Sequence, residues 1–381
     1  MNSLSAAPLP FIDLQAQRER LGPALEQAIL SVVRSGRYIM GPEIAELESK
    51  LATFCGVPHV LSCANGTDAL ALLLMLKDLK PGEAVLVPSF TFAATGEVVA
   101  WFGATPVFVD VDAATFCVDP ASVEAGIATA KKLGLKPVGL IAVDLFGHPT
   151  DYDALQPITR RNGMWLMSDC AQGFGGTYKG RRVGSLGDFA ATSFFPAKPL
   201  GCYGDGGAVF VHDKTQVAVL ESLRVHGQGE DKYDNVRIGM NGRMDTIQAA
   251  VLLHKLAIYE DEIAARQRVA RRYDEALRDV CGTPQVSKDC VSTWAQYTVR
   301  VPAGQRDTIA AKLKAAGIPT AIYYVRPMHR QTAYAHYPVA GNGLPVSDRL
   351  SGEVLSLPMH AYLDDASIDR VTGALRAAIA R

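Results

Sequence analysis

The stretch "SFFPAKPLGCYGDGG", residues 193–207, places one lysine in an unusual setting. Lys198 stands between Pro196 and Pro199, follows two phenylalanines and precedes a glycine-rich segment. Because proline fixes its own backbone torsion and restricts the residue before it, this lysine has little conformational freedom. A lysine held among apolar groups has a lowered pKa and can act as a Schiff-base amine. The alternative is a lysine on a surface turn, and the flanking aromatic residues argue against it.

Short apolar and β-branched segments surround this lysine and alternate with helical segments from residue 36 to about 250. Several are apolar throughout, which is typical of strands buried on both faces of a mostly parallel sheet. The pattern predicts an α/β fold in which the last two strands form an antiparallel hairpin. The predicted strands are 59–63, 84–88, 106–110, 138–144, 164–169, 189–195 and 207–211, and the predicted helices are 67–77, 93–102, 121–132 and 151–162.

The pattern changes after residue 243, where one long helix or two joined helices are predicted, followed by a smaller α/β unit. A chain of 381 residues is too long for one compact core. We therefore expect a large domain at 1–250, with an N-terminal arm, and a small C-terminal domain at 251–381. The elements predicted for the second part are the helical stretch 244–280, strands 295–301 and 320–324, and helices 306–316 and 366–380.

The composition excludes several classes of protein. The formal net charge of −1 lacks the basic footprint expected for binding to nucleic acid or to a membrane surface. No apolar run is long enough to span a bilayer, and the first 20 residues do not resemble a signal peptide. The seven cysteines are scattered without a CxxC pair, which favours reduced thiols in a cytoplasmic protein and indicates no metal site.

Two further segments could bind an anion. In "LSCANGTDALAL", residues 61–72, a strand ends and Gly66 and Thr67 open an apolar helix. The free N–H groups of a helix N-terminus favour phosphate, although an ordinary N-cap would give the same pattern. In "RIGMNGRMDTIQAA", Asn241 and Arg243 could reach a phosphate or could simply form a turn before a helix. The sequence has neither the G-x-G-x-x-G fingerprint nor the P-loop lysine motif.

Asp169, in "WLMSDCAQGFGG", follows an apolar strand. It is therefore expected at the carboxyl edge of the sheet, where open α/β sheets bind ligands, unless it only caps the next turn. A phosphate cradle, a carboxylate at a sheet edge and a fixed lysine together meet the needs of pyridoxal phosphate. The lysine binds the cofactor covalently, the carboxylate keeps the ring nitrogen protonated, and the helix end binds the phosphate.

The chain resembles the DegT/DnrJ/EryC1/StrS sugar aminotransferases nearly from end to end. The motifs that carry the resemblance are "SGRYIMGPEIAELE", "ANGTDAL", "PSFTFAAT", "SDCAQGFGG", "SFFPAKPLGCYGDGG", "RIGMNGRMDTIQAA" and "YYVRPMH". The resemblance implies the type I fold of pyridoxal-phosphate enzymes, like that of aspartate aminotransferase. It also implies a homodimer with shared active sites.

The resemblance further implies roles for individual residues. Lys198 holds the cofactor and shuttles the proton, and Asp169 pairs with the ring nitrogen. Gln172 lies near the ring hydroxyl and Phe92 stacks on the ring. The phosphate is held by Gly66, Thr67 and Ser193, with Asn241 reaching it from the partner subunit.

The implied substrates are a nucleotide-linked keto-sugar and glutamate. The motif around Lys198 is most similar to enzymes that aminate C3 of UDP-2-acetamido-2-deoxy-3-oxo-glucuronate for O-antigen and related polysaccharides. The alternative is amination of a UDP- or dTDP-keto-sugar at C4 or at another C3. The residues predicted to contact the substrate are Tyr38, Arg243, Tyr324 and His329, with Arg37, Arg326 and Arg330 as further cations, although packing or surface exposure would explain each of them too.

Two other classes of function stay open. Relatives with histidine in place of Lys198 are dehydratases, so the lysine favours transamination. A catalytically idle protein that binds a nucleotide sugar is the other alternative, and the complete set of cofactor residues argues against it.

Overall fold

The computed structural model describes residues 9–231 and 233–380 of the chain. The predicted absence of a signal peptide rests partly on residues 1–8, which lie outside the described residues, as does the start of the predicted N-terminal arm.

A seven-stranded sheet forms the centre of the protein, in the order β1-β9-β8-β5-β4-β2-β3. Strands β2, β3, β4, β5 and β8 pair in parallel, whereas β9 is antiparallel to both of its neighbours. The predicted hairpin is therefore present, and all seven predicted strands are found. Their bounds are β1 His59–Cys63, β2 Glu83–Pro88, β3 Thr105–Val109, β4 Lys136–Val143, β5 Trp165–Asp169, β8 Phe189–Ser193 and β9 Gly207–Val211.

Helices cover both the sheet and the chain ends. The four helices predicted between the strands are found within one or two residues of their predicted bounds, and the stretch after residue 243 is one helix, α9. The helices are α1 Leu14–Leu21, α2 Pro23–Ser35, α3 Pro42–Cys55, α4 Gly66–Leu76, α5 Ala94–Trp101, α6 Pro120–Lys132, α7 Tyr152–Arg161, α8 Lys214–Leu223, α9 Thr246–Leu277, α10 Arg306–Ala315, α11 Pro345–Glu353 and α12 Asp365–Ile379.

Two smaller sheets complete the fold. One has the order β10-β6-β7, and the other is the antiparallel pair β11-β12 of the C-terminal part. Their bounds are β6 Thr177–Tyr178, β7 Arg181–Arg182, β10 Cys290–Val291, β11 Tyr297–Arg300 and β12 Val354–Leu357.

The strand predicted at 320–324 is wrong. The buried strand β12 pairs with β11 instead, and the 320–324 segment contributes only an isolated bridge from Ala321 to Ser356 on the other edge of β12. The segment then turns away from the sheet, and Tyr324 directs its hydroxyl to Gln172, 3.2 Å from Nε2. The tyrosines that suggested a strand therefore lie in a segment that contacts Gln172, just after β5 of the large sheet.

The apolar interior divides within α9. The larger core includes helix residues up to Ile263, and the core of the C-terminal part begins at Val269. Met328 and Leu344 return to the larger core. The two cores therefore meet between Ile263 and Val269. The boundary between the two predicted domains, at residues 250 and 251, lies in the same helix but closer to its start. Within the described ranges, no helix is long and apolar enough to cross a membrane.

Candidate active site

The loop that carries Lys198 is closed by backbone hydrogen bonds. Phe194 N donates to Gly206 O at 2.7 Å, and Cys202 N donates to Phe194 O at 2.8 Å. Lys198 N donates to Phe195 O at 2.8 Å, which makes a tight turn just before Pro199. Lys198 therefore occupies the tip of a fixed loop between β8 and β9, as the two prolines predicted.

Burial lowers the pKa of the Lys198 ammonium, and the nearby carboxylate of Asp169 partly opposes this shift. Within the described part of the chain, no carboxylate lies close enough to Lys198 Nζ to form an ion pair. A desolvated amine without a fixed partner is a competent nucleophile for a carbonyl group.

Asp169 ends β5 and is only 6% exposed. One oxygen, Oδ2, accepts a hydrogen bond from Thr95 Oγ1 at 2.9 Å, and Oδ1 accepts one from Ala171 N at 3.3 Å. Burial raises the pKa of Asp169, whereas these two hydrogen bonds and the charge of Lys198 lower it. The carboxylate is thus prepared to meet a protonated ring nitrogen at the carboxyl edge of the sheet.

The predicted phosphate cradle forms where α4 meets β8. Asn65 caps the helix by accepting a hydrogen bond from Asp68 N at 2.8 Å, so the N–H groups of Gly66 and Thr67 have no intrahelical acceptor. A Cβ added at Gly66 would lie 2.5 Å from Ser193 Cβ, so only glycine allows this approach. Two N–H groups and a hydroxyl therefore converge, which is a suitable donor set for a phosphate.

Gln172 is buried, and its amide is oriented by the protein. Its Oε1 accepts a hydrogen bond from Phe146 N at 2.7 Å, and its Nε2 donates to Tyr324 Oη at 3.2 Å. One amide hydrogen is still available for a further acceptor. The structure therefore brings together Gln172 and Tyr324, which the sequence predicted to contact the cofactor and the substrate respectively.

Phe92 is 58% exposed and stands between β2 and α5. Its carbonyl accepts a hydrogen bond from Thr95 N at 3.3 Å, and the Thr95 side chain contacts Asp169. Thr95 therefore links the backbone of Phe92 to the buried carboxylate of Asp169.

The segment that contains Asn241 packs against the end of β1. Ala64 N donates to Gly242 O at 3.0 Å, while Asn241 itself is exposed. Arg243 Nη2 donates to Asn241 Oδ1 at 2.7 Å, which ties the two candidate ligands together. The predicted contact of Asn241 with a partner's phosphate stays a prediction.

The other candidates for substrate binding differ in accessibility. Tyr38 is 48% exposed and donates a hydrogen bond from its hydroxyl to Val33 O. His329 is buried, with Nδ1 2.6 Å from Ser89 Oγ and Nε2 3.2 Å from Asp348 Oδ1. Its ring nitrogens thus face protein groups, and its predicted substrate contact stays a prediction.

The remaining arginine candidates lie on the surface. Arg37 and Arg326 are exposed, and Arg330 is occupied by an ion pair with Asp348 at 2.6 Å.

Residue-by-residue reasoning missed a set of polar groups behind the site. Thr95 orients Asp169, and Asp144 is buried beside it at the end of β4 with Tyr152 and Ser168. The signal was available, because the predicted strand 138–144 ends in a carboxylate just as the strand before Cys170 does. Within the ranges that the structure covers, no group of three or more His, Cys, Asp or Glu side chains is suited to a metal ion.

These side chains fit pyridoxal phosphate. The converging donors at Gly66 can donate hydrogen bonds to a phosphate. The buried carboxylate of Asp169 can pair with a protonated pyridine nitrogen, and the desolvated amine of Lys198 can react with a carbonyl carbon. The fold and the site together define an α/β enzyme of the pyridoxal-phosphate type I class.

Comparison with known proteins gives the family. The profile of the DegT/DnrJ/EryC1/StrS aminotransferase family matches residues 20–376. The UDP-2-acetamido-2-deoxy-3-oxo-D-glucuronate aminotransferase of Pseudomonas aeruginosa is 46% identical over 368 residues, which is 96% of this chain and 99% of that protein. The chain therefore belongs to the DegT/DnrJ/EryC1/StrS aminotransferase family.

Solved structures agree with this assignment. The crystal structure of a DegT DnrJ EryC1 StrS aminotransferase from Brucella abortus has a TM-score of 0.96 and 53% identity, covering 98% of this chain and 100% of that one. NtdA of Bacillus subtilis, solved with bound cofactor PMP, has a TM-score of 0.90 and 26% identity, covering 100% of this chain and 87% of that one. The predictions of the family, the fold class, an aminotransferase activity and pyridoxal phosphate as cofactor are confirmed.

Proposed function

We propose that the protein transfers the amino group of glutamate to C3 of UDP-2-acetamido-2-deoxy-3-oxo-glucuronate. The products are then UDP-2-acetamido-3-amino-2,3-dideoxy-glucuronate and 2-oxoglutarate. The observation that carries transamination is the unpaired, desolvated Lys198 beside Asp169. The sugar is supported by the 46% identity to the Pseudomonas aeruginosa enzyme over nearly the whole chain.

Each residue of the site has a role that follows from its surroundings. The cofactor, when bound, supplies an electron sink for the carbon that gains or loses the amino group. Lys198 Nζ would hold the cofactor, accept a proton from the amino-donor carbon and return one to the sugar carbon. The Asp169 carboxylate would stabilise a proton on the ring nitrogen. Gly66, Thr67 and Ser193 would bind the phosphate.

The substrate demands positive charge, because a uronate and a diphosphate are both anions. Arg243 is the best-placed candidate, since its contact with Asn241 leaves other guanidinium donors available. Arg37 and Arg326 are exposed and could meet the diphosphate, and Tyr38 could line the sugar pocket. His329 stays a predicted contact, and Ser89 and Asp348 face its ring nitrogens in this structure.

We also propose that the enzyme is a homodimer in which Asn241 reaches the partner's cofactor phosphate. Large apolar side chains are exposed next to Asn241, with Ile238 at 89% and Val236 at 54%. Val33 and Ile39, at the end of α2, are 45% and 48% exposed. Apolar groups exposed on this scale commonly mark a protein interface. The enzyme would act in the cytoplasm, in the synthesis of O-antigen or a related polysaccharide.

A half-reaction tests the function directly. Protein loaded with pyridoxal phosphate should absorb at about 420 nm, and glutamate should shift this band to about 330 nm. Adding UDP-2-acetamido-2-deoxy-3-oxo-glucuronate should then restore the first band. Recovery only with a UDP- or dTDP-4-keto-sugar would replace the C3 assignment with C4 amination. A protein that binds the cofactor but ignores glutamate would instead be the idle nucleotide-sugar-binding protein.

A further inference from the structure

A second buried carboxyl lies next to Asp169. Asp144 follows β4, and its backbone N–H donates to Asp169 O at 3.1 Å. Its side chain has no exposed surface. A Cβ added at Gly173 would overlap the Asp144 side chain, so Asp144 is packed against backbone without space for solvent on that side.

No cation compensates Asp144. Among residues 9–231 and 233–380, no Lys, Arg or His side chain forms an ion pair with it. The titratable groups that face it from the surrounding elements are Asp169, Tyr152, Cys117, Cys170 and Cys290. Burial raises the pKa of the tyrosine and of the three thiols, so these four groups are uncharged near pH 7. An unpaired buried carboxylate beside another carboxylate is strongly disfavoured.

The hydrogen-bond partners of Asp144 form a closed ring of oxygens. Tyr152 Oη lies 3.0 Å from Asp144 Oδ1, 2.9 Å from Asp144 Oδ2 and 2.7 Å from Ser168 Oγ. Ser168 Oγ lies 3.0 Å from Asp144 Oδ2, and Thr150 N donates to Oδ1 at 2.7 Å. Each of the three pairs among the tyrosine hydroxyl, the serine hydroxyl and the carboxyl group needs one proton, but the two hydroxyls supply only two.

We propose that Asp144 is a positioning residue that stays protonated in the working enzyme and supplies the third proton of this ring. The Asp144 carboxyl proton is donated to Tyr152 Oη, the Tyr152 hydroxyl donates to Ser168 Oγ, and the Ser168 hydroxyl donates to Asp144 Oδ2. Burial also raises the pKa of Asp144 to about 7, which is the direction that this proton count requires. Of the two carboxyls at this edge of the sheet, only Asp169 then carries charge for the cofactor's ring nitrogen.

The ring also fixes the backbone that orients the site. Residues 145–147 follow Asp144 directly, and Phe146 N in this turn donates to Gln172 Oε1. The Asp144 N–H group holds the carbonyl of Asp169. Loss of the ring would therefore loosen both Asp169 and Gln172 without removing any group that touches the cofactor.

Infrared difference spectroscopy of the cofactor-free protein tests the protonation state. Wild type minus Asp144→Asn at pH 6.5 should show a carboxylic-acid carbonyl band that shifts in D₂O. A difference spectrum with only carboxylate bands would overturn the proposal. This measurement does not depend on the proposed function.

Titration of the cofactor band in the loaded enzyme tests the electrostatic consequence and rests on the proposed function. Asp144→Asn should leave the midpoint within about 0.3 pH unit, whereas loss of an ionised neighbour would lower it by about one unit. Asp144→Ala should lower kcat at least about tenfold, and Asn should restore most of that loss. A lowered midpoint for Asn, or no difference between Ala and Asn, contradicts the proposal. If no band forms at all, the proposed function fails while the infrared result still decides the state of Asp144.

Discussion

The floor of the site and the exposed segment 233–241 are built in opposite ways. At the floor, Asp169 and Gln172 are buried and held by hydrogen bonds from the same chain. In the segment, Asn241 is exposed and Ile238 is 89% exposed. One chain therefore completes the part of the site that performs chemistry, and leaves apolar surface around the residue proposed to reach a second copy. The contrast predicts that changes at the floor alter catalysis, whereas changes in the segment alter assembly and affinity for the cofactor.

The largest effect is expected at Lys198. Lys198→Ala removes both the amine that holds the cofactor and the proton carrier, so turnover should fall at least about 10³-fold. Steady-state kinetics and the absence of the cofactor band at about 420 nm would check this. Lys214→Ala, at the exposed start of α8, is the matched control and should leave both unchanged. Normal turnover by Lys198→Ala would show that another group is the base.

A large effect on assembly is expected in the segment. Ile238→Asp places a charge in the proposed interface, so the protein should become monomeric in sedimentation and lose at least about 100-fold in cofactor affinity. Leu133→Asp changes an equally apolar side chain that is 57% exposed elsewhere, and should do neither. A dimer that survives Ile238→Asp with unchanged affinity would remove the contrast between the two regions.

A smaller effect is expected at Asn241. If its amide bonds the partner's phosphate, Asn241→Ala should weaken cofactor binding by about 10-fold or more, the usual loss for a hydrogen bond to a charged group. The oligomeric state should not change, which separates this variant from Ile238→Asp. Equilibrium binding of pyridoxal phosphate, followed by absorbance, measures the loss. A shift to monomer would show that Asn241 acts through the interface instead.

The smallest effect is expected at Thr95. Its hydroxyl stabilises the charged form of Asp169, so Thr95→Val should raise the pKa of that carboxyl. Activity that needs ionised Asp169 should then be lost at higher pH, and kcat/KM should fall by about fivefold on the acidic side with less change at neutral pH. The pH profile of kcat/KM checks the direction, with Thr53→Val on the exposed face of α3 as control. An acidic limb that moves down would contradict it.

Much of the fold was predictable, because the strands of the large sheet are apolar throughout and glycines or prolines separate them. The cofactor residues were predictable for a related reason, since Asp169 is the last residue of a strand, and Gly66 and Lys198 follow the ends of strands by three and five residues. The segment 320–324 misled because Tyr323 and Tyr324 have high β propensity, whereas the neighbouring strand edge was taken by β12. The β propensity of a segment does not show which of two competing segments pairs with a neighbouring strand.

Other features depend on contacts between distant residues. The burial of His329 against Ser89 joins two segments far apart in sequence, so its motif alone suggested a free ligand. The ring around Asp144 depends on the parallel register that places Val143 beside Asp169. The three helices before β1 were not predicted either: α1 buries only Gln17, whereas the buried apolar residues of α3 do follow a helical spacing.

The antiparallel strand β9 has a consequence for the order of assembly. The phosphate cradle joins the start of α4, just after β1, to Ser193 at the end of β8, and β9 is the strand that pairs with both. Closing β1 onto β9 brings together segments from opposite ends of the large domain, and such long loops form late in folding. Cofactor capture should therefore report that the sheet has closed, so pyridoxal phosphate added to a refolding chain would mark the completion of folding rather than nucleate it.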